Sequence, residues 1–468
     1  MADDSPRSLS RRQLIRTATG AAAALGLART GAAQELPAAP PQRGATMAGV
    51  PFEKRASVRF ALIGCGGRGS SLLGDILHVP GVELKAVCDI VPEKVAKAQA
   101  AVIKAGQKKP DGYTNGDHDF ENLCKRGDLD LVYVATPWNW HLPMAVAAMQ
   151  GGAHVGCEVP GVETIEECWK LVDTSEATRR HCAILENCCY GWSEMLVLNM
   201  VRAGVFGELT HAECAYIHDL RSLLFENEGE GLWRRFEHFK RNGNLYPTHG
   251  LGPVALYMDV GRGDRFERLV SMSSPSLGLQ EYRDRTLPAG DPKRSEAYAC
   301  GDMNTSLIRT AKGRTIVLQH DVVSPRPYSR INLLSGTLAT FADYPPRIFF
   351  DPANPLAPPR DRKRDEEWRP VAQARKKRGK GGIEDRFEHP LWTRLEREAK
   401  SSGHGGMDYV MSWRLVQCLR EGLVPDLDVY DAAAWSAPSA LSEASVARGS
   451  APQDFPDFTR GQWSHKRA

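Results

Sequence analysis

One run constrains this chain more than any other: Val58-Arg-Phe-Ala-Leu-Ile-Gly-Cys-Gly-Gly-Arg-Gly69. An apolar strand leads straight into Gly64-x-Gly66-x-x-Gly69. A second apolar run, Val82 to Cys88, then ends on Asp89, 20 residues past the last glycine. Strand, glycines, helix and acid at these spacings form a dinucleotide-binding turn. The first glycine makes the tight turn, the second lets backbone approach a pyrophosphate, and the third lets helix pack on strand. The helix N-terminus then faces the phosphates. On this reading Gly64, Gly66, Gly67, Arg68 and Gly69 surround the pyrophosphate and Asp89 binds a ribose 2′-hydroxyl. The charge of Asp89 repels a 2′-phosphate, so NAD is favoured over NADP.

The pattern downstream extends this start. Val58–Ile63, Leu84–Cys88, Leu129–Ala135, Ala153–Cys157 and Cys182–Glu186 have strand character. Helical stretches at Pro92–Ala105, Leu142–Gln150 and Ile165–Thr178 alternate with them. Such alternation predicts an α/β fold with a Rossmann doubly wound parallel sheet over 58–187. After residue 190 the strands lie closer together, at Leu209–Ile217, Phe266–Ser273, Thr305–Ile308, Thr315–Asp321, Arg330–Leu334 and Leu338–Ala342. Helices are expected near Pro253–Val260 and Met407–Glu421. The expectation for 188–468 is an α+β domain with a large open antiparallel sheet, able to pack against a second copy. Residues 358–382 form a charged loop on its surface.

The N-terminus carries a different signal. Ser10-Arg-Arg-Gln-Leu-Ile15, an apolar run from Ala18 to Ala28 and small residues at 31–33 make a twin-arginine export pattern over 1–33. Residues 34–57 then form a linker rich in Ala, Pro and Gly. The apolar run falls short of the roughly 20 residues a membrane span needs, so no span is expected in the mature protein, which is periplasmic or secreted. That export route carries folded proteins, so a cofactor is bound before export, tightly held and recycled within each turnover. A net charge of +3, from 60 basic and 57 acidic residues, gives no reason to expect nucleic acid. Eleven cysteines without metal-type spacing predict neither a disulfide framework nor a structural metal.

Several motifs sit where the expected strands end. Thr136-Pro-Trp-Asn-Trp-His141 follows a buried strand. Glu158-Val159-Pro160 follows the next, and Leu185-Glu-Asn-Cys-Cys-Tyr190 the one after that. Farther on come Leu232-Trp-Arg-Arg235, Asn244-Leu-Tyr-Pro-Thr-His-Gly-Leu-Gly-Pro253 and Ser324-Pro-Arg-Pro-Tyr328. The first two resemble sugar-handling oxidoreductases of the glucose-fructose oxidoreductase and inositol dehydrogenase type, except that Val159 stands where those enzymes carry a proton-moving Lys. The full set, from about residue 55 to Trp463, is similar to glycoside hydrolase family 109, the NAD-dependent α-N-acetylgalactosaminidases.

The resemblance implies a hydrolase that uses NAD as a recycled catalyst. Ordinary glycosidases work with two carboxylates, and NAD-dependent families are exceptions. Transient oxidation at C3 of the sugar makes the C2 proton acidic, and its removal expels the glycosidic oxygen from C1. Water then adds at C1 and C3 is reduced again. The resemblance places Trp138, Asn139, Trp140, His141, Glu158, Val159 and Asn187 on the nicotinamide side. It places Tyr216, Arg234, Tyr246, Pro247, Thr248, His249 and Tyr328 against a glycan or small molecule ending in an amino sugar. His249 leads as acid/base, since an unperturbed imidazole titrates near pH 6.5, and Tyr190 and Tyr246 follow if nearby charge lowers their pKa. Which of the three takes the C2 proton stays open. Arg235 is a surface or pairing residue, and His404 belongs to a helix-capping loop or faces substrate. Two other readings compete with the glycosidase: an exported NAD(P)-dependent sugar oxidoreductase and a non-catalytic sugar- or NAD-binding protein.

Overall fold

The computed structural model describes residues 39–357, 367–371 and 382–465. The export pattern and most of the charged loop lie outside these residues. Among the described residues no helix is long and apolar enough to cross a membrane.

The first sheet has six strands: β1 (Val58–Ile63), β2 (Val82–Cys88), β3 (Asp111–Tyr113), β4 (Leu131–Val134), β5 (His154–Cys157) and β6 (Cys182–Ile184). Their order is β3-β2-β1-β4-β5-β6, and every pairing is parallel. The expected doubly wound sheet is therefore present. The sequence reading missed β3, since Asp-Gly-Tyr has no apolar run and the strand lies on an exposed edge. Helix Ile165–Thr178 has the expected limits because Thr164 and Glu167 form a capping box at its start.

The second sheet has nine strands: β7 (Leu209–Ile217), β8 (Phe266–Ser273), β9 (Asn304–Thr310), β10 (Thr315–Asp321), β11 (Leu333–Gly336), β12 (Ala339–Ala342), β13 (Arg347–Phe350), β14 (Arg369–Pro370) and β15 (Gln453–Asp454). They run in the order β14-β13-β12-β11-β7-β10-β9-β8-β15, antiparallel throughout except between β7 and β10. The strand expected at Arg330–Leu334 begins only at Leu333. Ile331 and Asn332 have φ of 62° and 49°, which turns the backbone out of the extended region.

Helix Thr248–Tyr257 was expected to begin at Pro253 and instead encloses it. Its start matters because it packs on β7 at very short range. A Cβ on Gly250 would lie 2.5 Å from the Ala215 nitrogen. That approach brings His249 and Tyr246 onto Tyr216, which faces them from the end of β7.

Gly250→Ala is therefore expected to destabilise the protein by about 1–3 kcal/mol through overpacking. Gly74→Ala, in a helix with open space at its Cβ, should gain about 0.5–1 kcal/mol. Thermal unfolding of the two variants at one NAD concentration checks both signs.

Candidate active site

The glycine turn has the shape a dinucleotide needs. Gly64 has φ of 93°, and a Cβ there would meet the Ala135 carbonyl oxygen at 2.4 Å. On Gly69 it would meet the Gly64 carbonyl oxygen at 1.8 Å. Those two glycines close the turn. At Gly66 and Gly67 a Cβ would meet nothing within 4 Å, so protein packing does not require glycine there. The bare backbone leaves room for a phosphate at the N-terminus of helix Gly67–Ile76. Asp89 is held rigid, accepting from Cys65 N–H at 2.8 Å and Val91 N–H at 3.0 Å. Ile90 beside it is 62% exposed and offers apolar surface. These residues fit NAD.

Arg68 behaves differently from the expectation. Its Nε donates to Glu158 at 2.7 Å and its Nη1 to Asp408 at 2.6 Å, so the guanidinium is taken up by two buried carboxylates. Asp408 also accepts from Asn187 Nδ2 at 2.7 Å and contacts His404 Nδ1 at 2.8 Å. Burial raises the carboxyl pKa of Asp408, but His404 and Arg68 outweigh it and hold the group well below the usual carboxylate range. Burial wins at Glu158, whose pKa is raised although Arg68 opposes it. Phosphate contact at the turn therefore falls to backbone N–H groups.

The Trp138–His141 segment divides. Trp138 is buried and its ring lies 5.1 Å from Trp233 and 5.7 Å from Tyr246. Asn139 is exposed, and Trp140 packs outward on His118 and Phe120. Both ring nitrogens of His141 are engaged, Nδ1 at 2.7 Å from Pro160 O and Nε2 at 2.9 Å from Thr136 O. His141 thus clamps two loops together and presents no free nitrogen. Val159 is buried in the second of those loops.

The centre of the site is Glu186 and His249. Glu186 is fully buried, and the Nδ1–H of His249 donates to its two oxygens at 2.8 and 3.1 Å. Burial opposes the Glu186 charge, but His249, the neighbouring Thr248 hydroxyl and Cys188 N–H lower its pKa overall. Glu186 is therefore an acceptor, which assigns the Nδ1 proton and leaves Nε2 directed away from the carboxylate. The imidazole meets the Tyr216 ring edge-on at 5.3 Å and the Tyr246 ring at 4.9 Å. Arg234 lies 4.9 Å from the Tyr246 ring and 5.2 Å from Trp138. Its Nη1 donates to Glu230 at 2.5 Å, while its buried Nη2 has no partner among the described residues. Tyr328 closes one side, 6.2 Å from Tyr216, and accepts from Arg330 Nη1 at 3.0 Å. Pro247 starts the helix that carries Thr248 and His249.

Tyr190 is not brought into this cluster. Its hydroxyl donates to Asp426 at 3.4 Å, and it lines a separate small cavity with Met411, Arg414 and Leu427. Burial pushes its pKa well up, as it does for Tyr246, so neither tyrosine is lowered toward a base. Arg235 is buried, its Nε donating to Glu296 at 2.9 Å and its Nη1 to Leu224 O at 2.8 Å. His404 follows the loop reading. It sits with φ of 51° in the turn before helix Met407–Glu421, its side chain 53% exposed and its Nδ1 on Asp408. Its carboxylate partner thus repeats the arrangement at His249.

Sequence reasoning missed Glu186, Asp408 and His218. Glu186 and His249 lie 63 positions apart, and Asn187 and Asp408 lie 221 apart, so no local spacing signals either pair. A free-standing trio of Glu186, Cys188 and His249 also lies within metal-ligating range. Burial holds the Cys188 thiol well above its ordinary pKa, and its S–H donates to Asn187 Oδ1 at 3.5 Å. All eleven cysteines are buried free thiols.

Two outcomes follow from this geometry. The protein should bind NADH more tightly than NADPH, with Asp89→Ser weakening NADH by about tenfold or more and narrowing the gap, as read by cofactor fluorescence titration. Asp408→Asn should cost about 1.5–3 kcal/mol at neutral pH by removing one of the two carboxylates that hold Arg68. Because the folded pKa of Asp408 is depressed, its contribution is full above the unfolded pKa of about 4 and fades as pH falls toward the folded one. Urea unfolding at pH 7 and pH 3 should show the difference from the parent protein shrinking in acid.

Comparison with known proteins agrees with both halves of this description. Residues 58–185 match the family model for the oxidoreductase family, NAD-binding Rossmann fold, and residues 190–465 match the model for the glycosyl hydrolase 109 C-terminal domain. A glycosyl hydrolase family 109 protein of Solibacter usitatus (strain Ellin6076) is 57% identical over 461 residues, 98% of this chain and 99% of that protein. One of Streptomyces filamentosus is 50% identical over 477 residues, 98% of this chain and 92% of that protein. Among solved structures, levoglucosan dehydrogenase in complex with NADH and L-sorbose superposes with a TM-score of 0.62 at 18% identity. The match covers 86% of this chain and all of that one, and shows a shared fold. With the family's own model matching more than half of the chain and a relative this similar along nearly all of it, the chain belongs to glycosyl hydrolase family 109.

Proposed function

We propose that the protein hydrolyses terminal N-acetylgalactosaminides, α-linked ones first, with NAD held through the whole turnover. The observation that carries this reading is the Glu186–His249 pair. It presents Nε2 of an oriented imidazole among Tyr216, Tyr246 and Arg234. When bound, NAD supplies a hydride acceptor at C3 of the sugar and returns the hydride at the end, which makes elimination across C1–C2 and water addition at C1 accessible between the two transfers.

The residues of the chain do the rest. His249 Nε2 takes a proton from the sugar, and the ionised Glu186 stabilises the imidazolium that forms. Tyr246, its pKa raised by burial, keeps its hydroxyl proton and serves as a donor. Arg234 keeps its charge and directs the unpartnered Nη2–H at an acceptor on the sugar, for which the acetamido carbonyl is the natural match. Trp138 and Trp233 cover the cleft with apolar surface. Val159 supplies no proton-moving cation, which leaves that duty to the imidazoles. His404, held by Asp408, is the second of these and stands on the more open side. A cofactor that is regenerated at every turnover suits export by the twin-arginine pattern at Ser10–Ile15, and we place the enzyme outside the cytoplasm with NAD already bound.

The test is hydrolysis of p-nitrophenyl α-N-acetylgalactosaminide in D2O. The expected result is p-nitrophenol release, deuterium at C2 of the product sugar and no accumulated NADH. His249→Asn should lower kcat by about 10²–10⁴, and the same substitution at His404 shows whether that imidazole shares the work. Oxidised sugar accumulating with NADH, and no aryl glycoside cleaved, would instead make the protein a sugar oxidoreductase.

A further inference from the structure

A histidine outside the matched motifs touches the site. Cys214, Tyr216 and His218 project from the same face of β7 and its continuation, since side chains alternate along a strand. The backbone N–H of His218 donates to Asp321 O at 2.9 Å, which fixes the chain there. Its Nδ1 lies 3.0 Å from the Tyr216 hydroxyl, and its ring meets Tyr328 edge-on at 5.0 Å. Tyr216 is boxed in by the Tyr246 ring at 4.6 Å, His249 at 5.3 Å and His320 at 6.4 Å.

The polarity of the Tyr216–His218 bond follows from what else surrounds the phenol oxygen. The guanidinium of Arg234 lies over the Tyr216 ring, its carbon 5.9 Å from the centroid. Its positive charge favours a phenol oxygen that turns lone pairs toward it and its hydrogen toward the imidazole. Burial, together with Arg234 and His249, keeps His218 neutral against the opposing pull of Asp219 and Glu230. A neutral ring that takes the phenol hydrogen at Nδ1 carries its own proton on Nε2.

We propose that His218 is a positioning residue that fixes Tyr216 as a hydrogen-bond acceptor toward the sugar, so that the site selects a free hydroxyl able to donate to Tyr216 at that position. Tyr216 Oη then reads the hydroxyl's hydrogen. A hydroxyl supplies that hydrogen, whereas an ether, a fluorine or a hydrogen cannot donate to the tyrosine. The inference rests on the amino-sugar reading above, because C3 carries the chemistry and the hydroxyl read here is at C4 or C6.

The experiment measures Kd, by calorimetry on the NAD-loaded protein, for N-acetylgalactosamine and its 4-fluoro and 6-fluoro analogues. Fluorine accepts but does not donate. One of the two analogues should bind at least about tenfold more weakly than the parent sugar. In His218→Ala the Tyr216 hydroxyl is free to turn and donate to fluorine, so the ratio should fall to about threefold or less. His218→Asn, which keeps an acceptor near the Nδ1 position, should restore it, and Tyr216→Phe should abolish it in every background. The ratio is internal to each protein, so general loss of affinity or stability does not imitate the effect. A ratio unchanged in His218→Ala, or no discrimination against either analogue by the unsubstituted protein, overturns the proposal. Cleavage of the aryl glycoside is scored separately, so failure of the glycosidase reading is distinguishable from failure at His218.

Discussion

A carboxylate with no solvent exposure sits at the centre of this molecule, and the rest of the site is arranged around it. Burying Glu186 in its charged form is strongly unfavourable unless partners compensate. The compensation comes from the His249 Nδ1–H and the Cys188 N–H. The two donors are placed by different devices. Cys188 follows from the turn at the end of β6, and His249 comes from a helix pressed against β7. That helix also carries Gly252, where a Cβ would lie 2.9 Å from the Glu186 side chain. The two close-packed glycines of the helix, Gly250 and Gly252, therefore serve one end: they let it approach both the sheet and the carboxylate. Imidazole orientation is thus a consequence of how the two sheets are joined.

A second buried charge cluster ties the glycine turn to the C-terminal part of the chain. Arg68, Glu158, Asn187 and Asp408 come from the first helix, the ends of β5 and β6, and helix Met407–Glu421. Such a network is expensive to break from one side and adds little net stability as a whole. Its effect is geometric. It holds the cofactor turn, the Val159 loop and the His404 turn in one register.

Much of the fold was legible in the sequence because its signals are local. The glycine turn, the alternation over 58–187 and helix Ile165–Thr178 are each carried by short runs of neighbouring residues. The strand limits at Leu209–Ile217, Phe266–Ser273 and Thr315–Asp321 came out as expected for the same reason. What failed was set by long-range packing. β3 exists because β2 offers an edge, and the late start of β11 reflects the backbone turn at Ile331 and Asn332. In the site, motif residues were found but their tasks were not separable. His141 and Arg68 look like ligand-facing groups in a string of letters, yet their partners at Pro160 O, Glu158 and Asp408 are supplied by distant loops. Tyr190 failed likewise, since Asp426 claims its hydroxyl from 236 positions away.

Position 159 holds a valine and no cation, and the imidazoles held by buried carboxylates lie in the second half of the chain. A lysine in a loop of the dinucleotide-binding half acts at a single hydroxyl next to the nicotinamide. A buried Val159 removes that handle without disturbing the loop, because His141 and Ser436 bind its neighbours Pro160 and Gly161. The two imidazoles held by buried carboxylates, His249 on Glu186 and His404 on Asp408, are both carried by the part of the chain that follows residue 190, although their carboxylates bridge to either half. On the function proposed above, an imidazole that takes and returns a proton suits a cycle of proton removal and return at the sugar better than a permanent cation would.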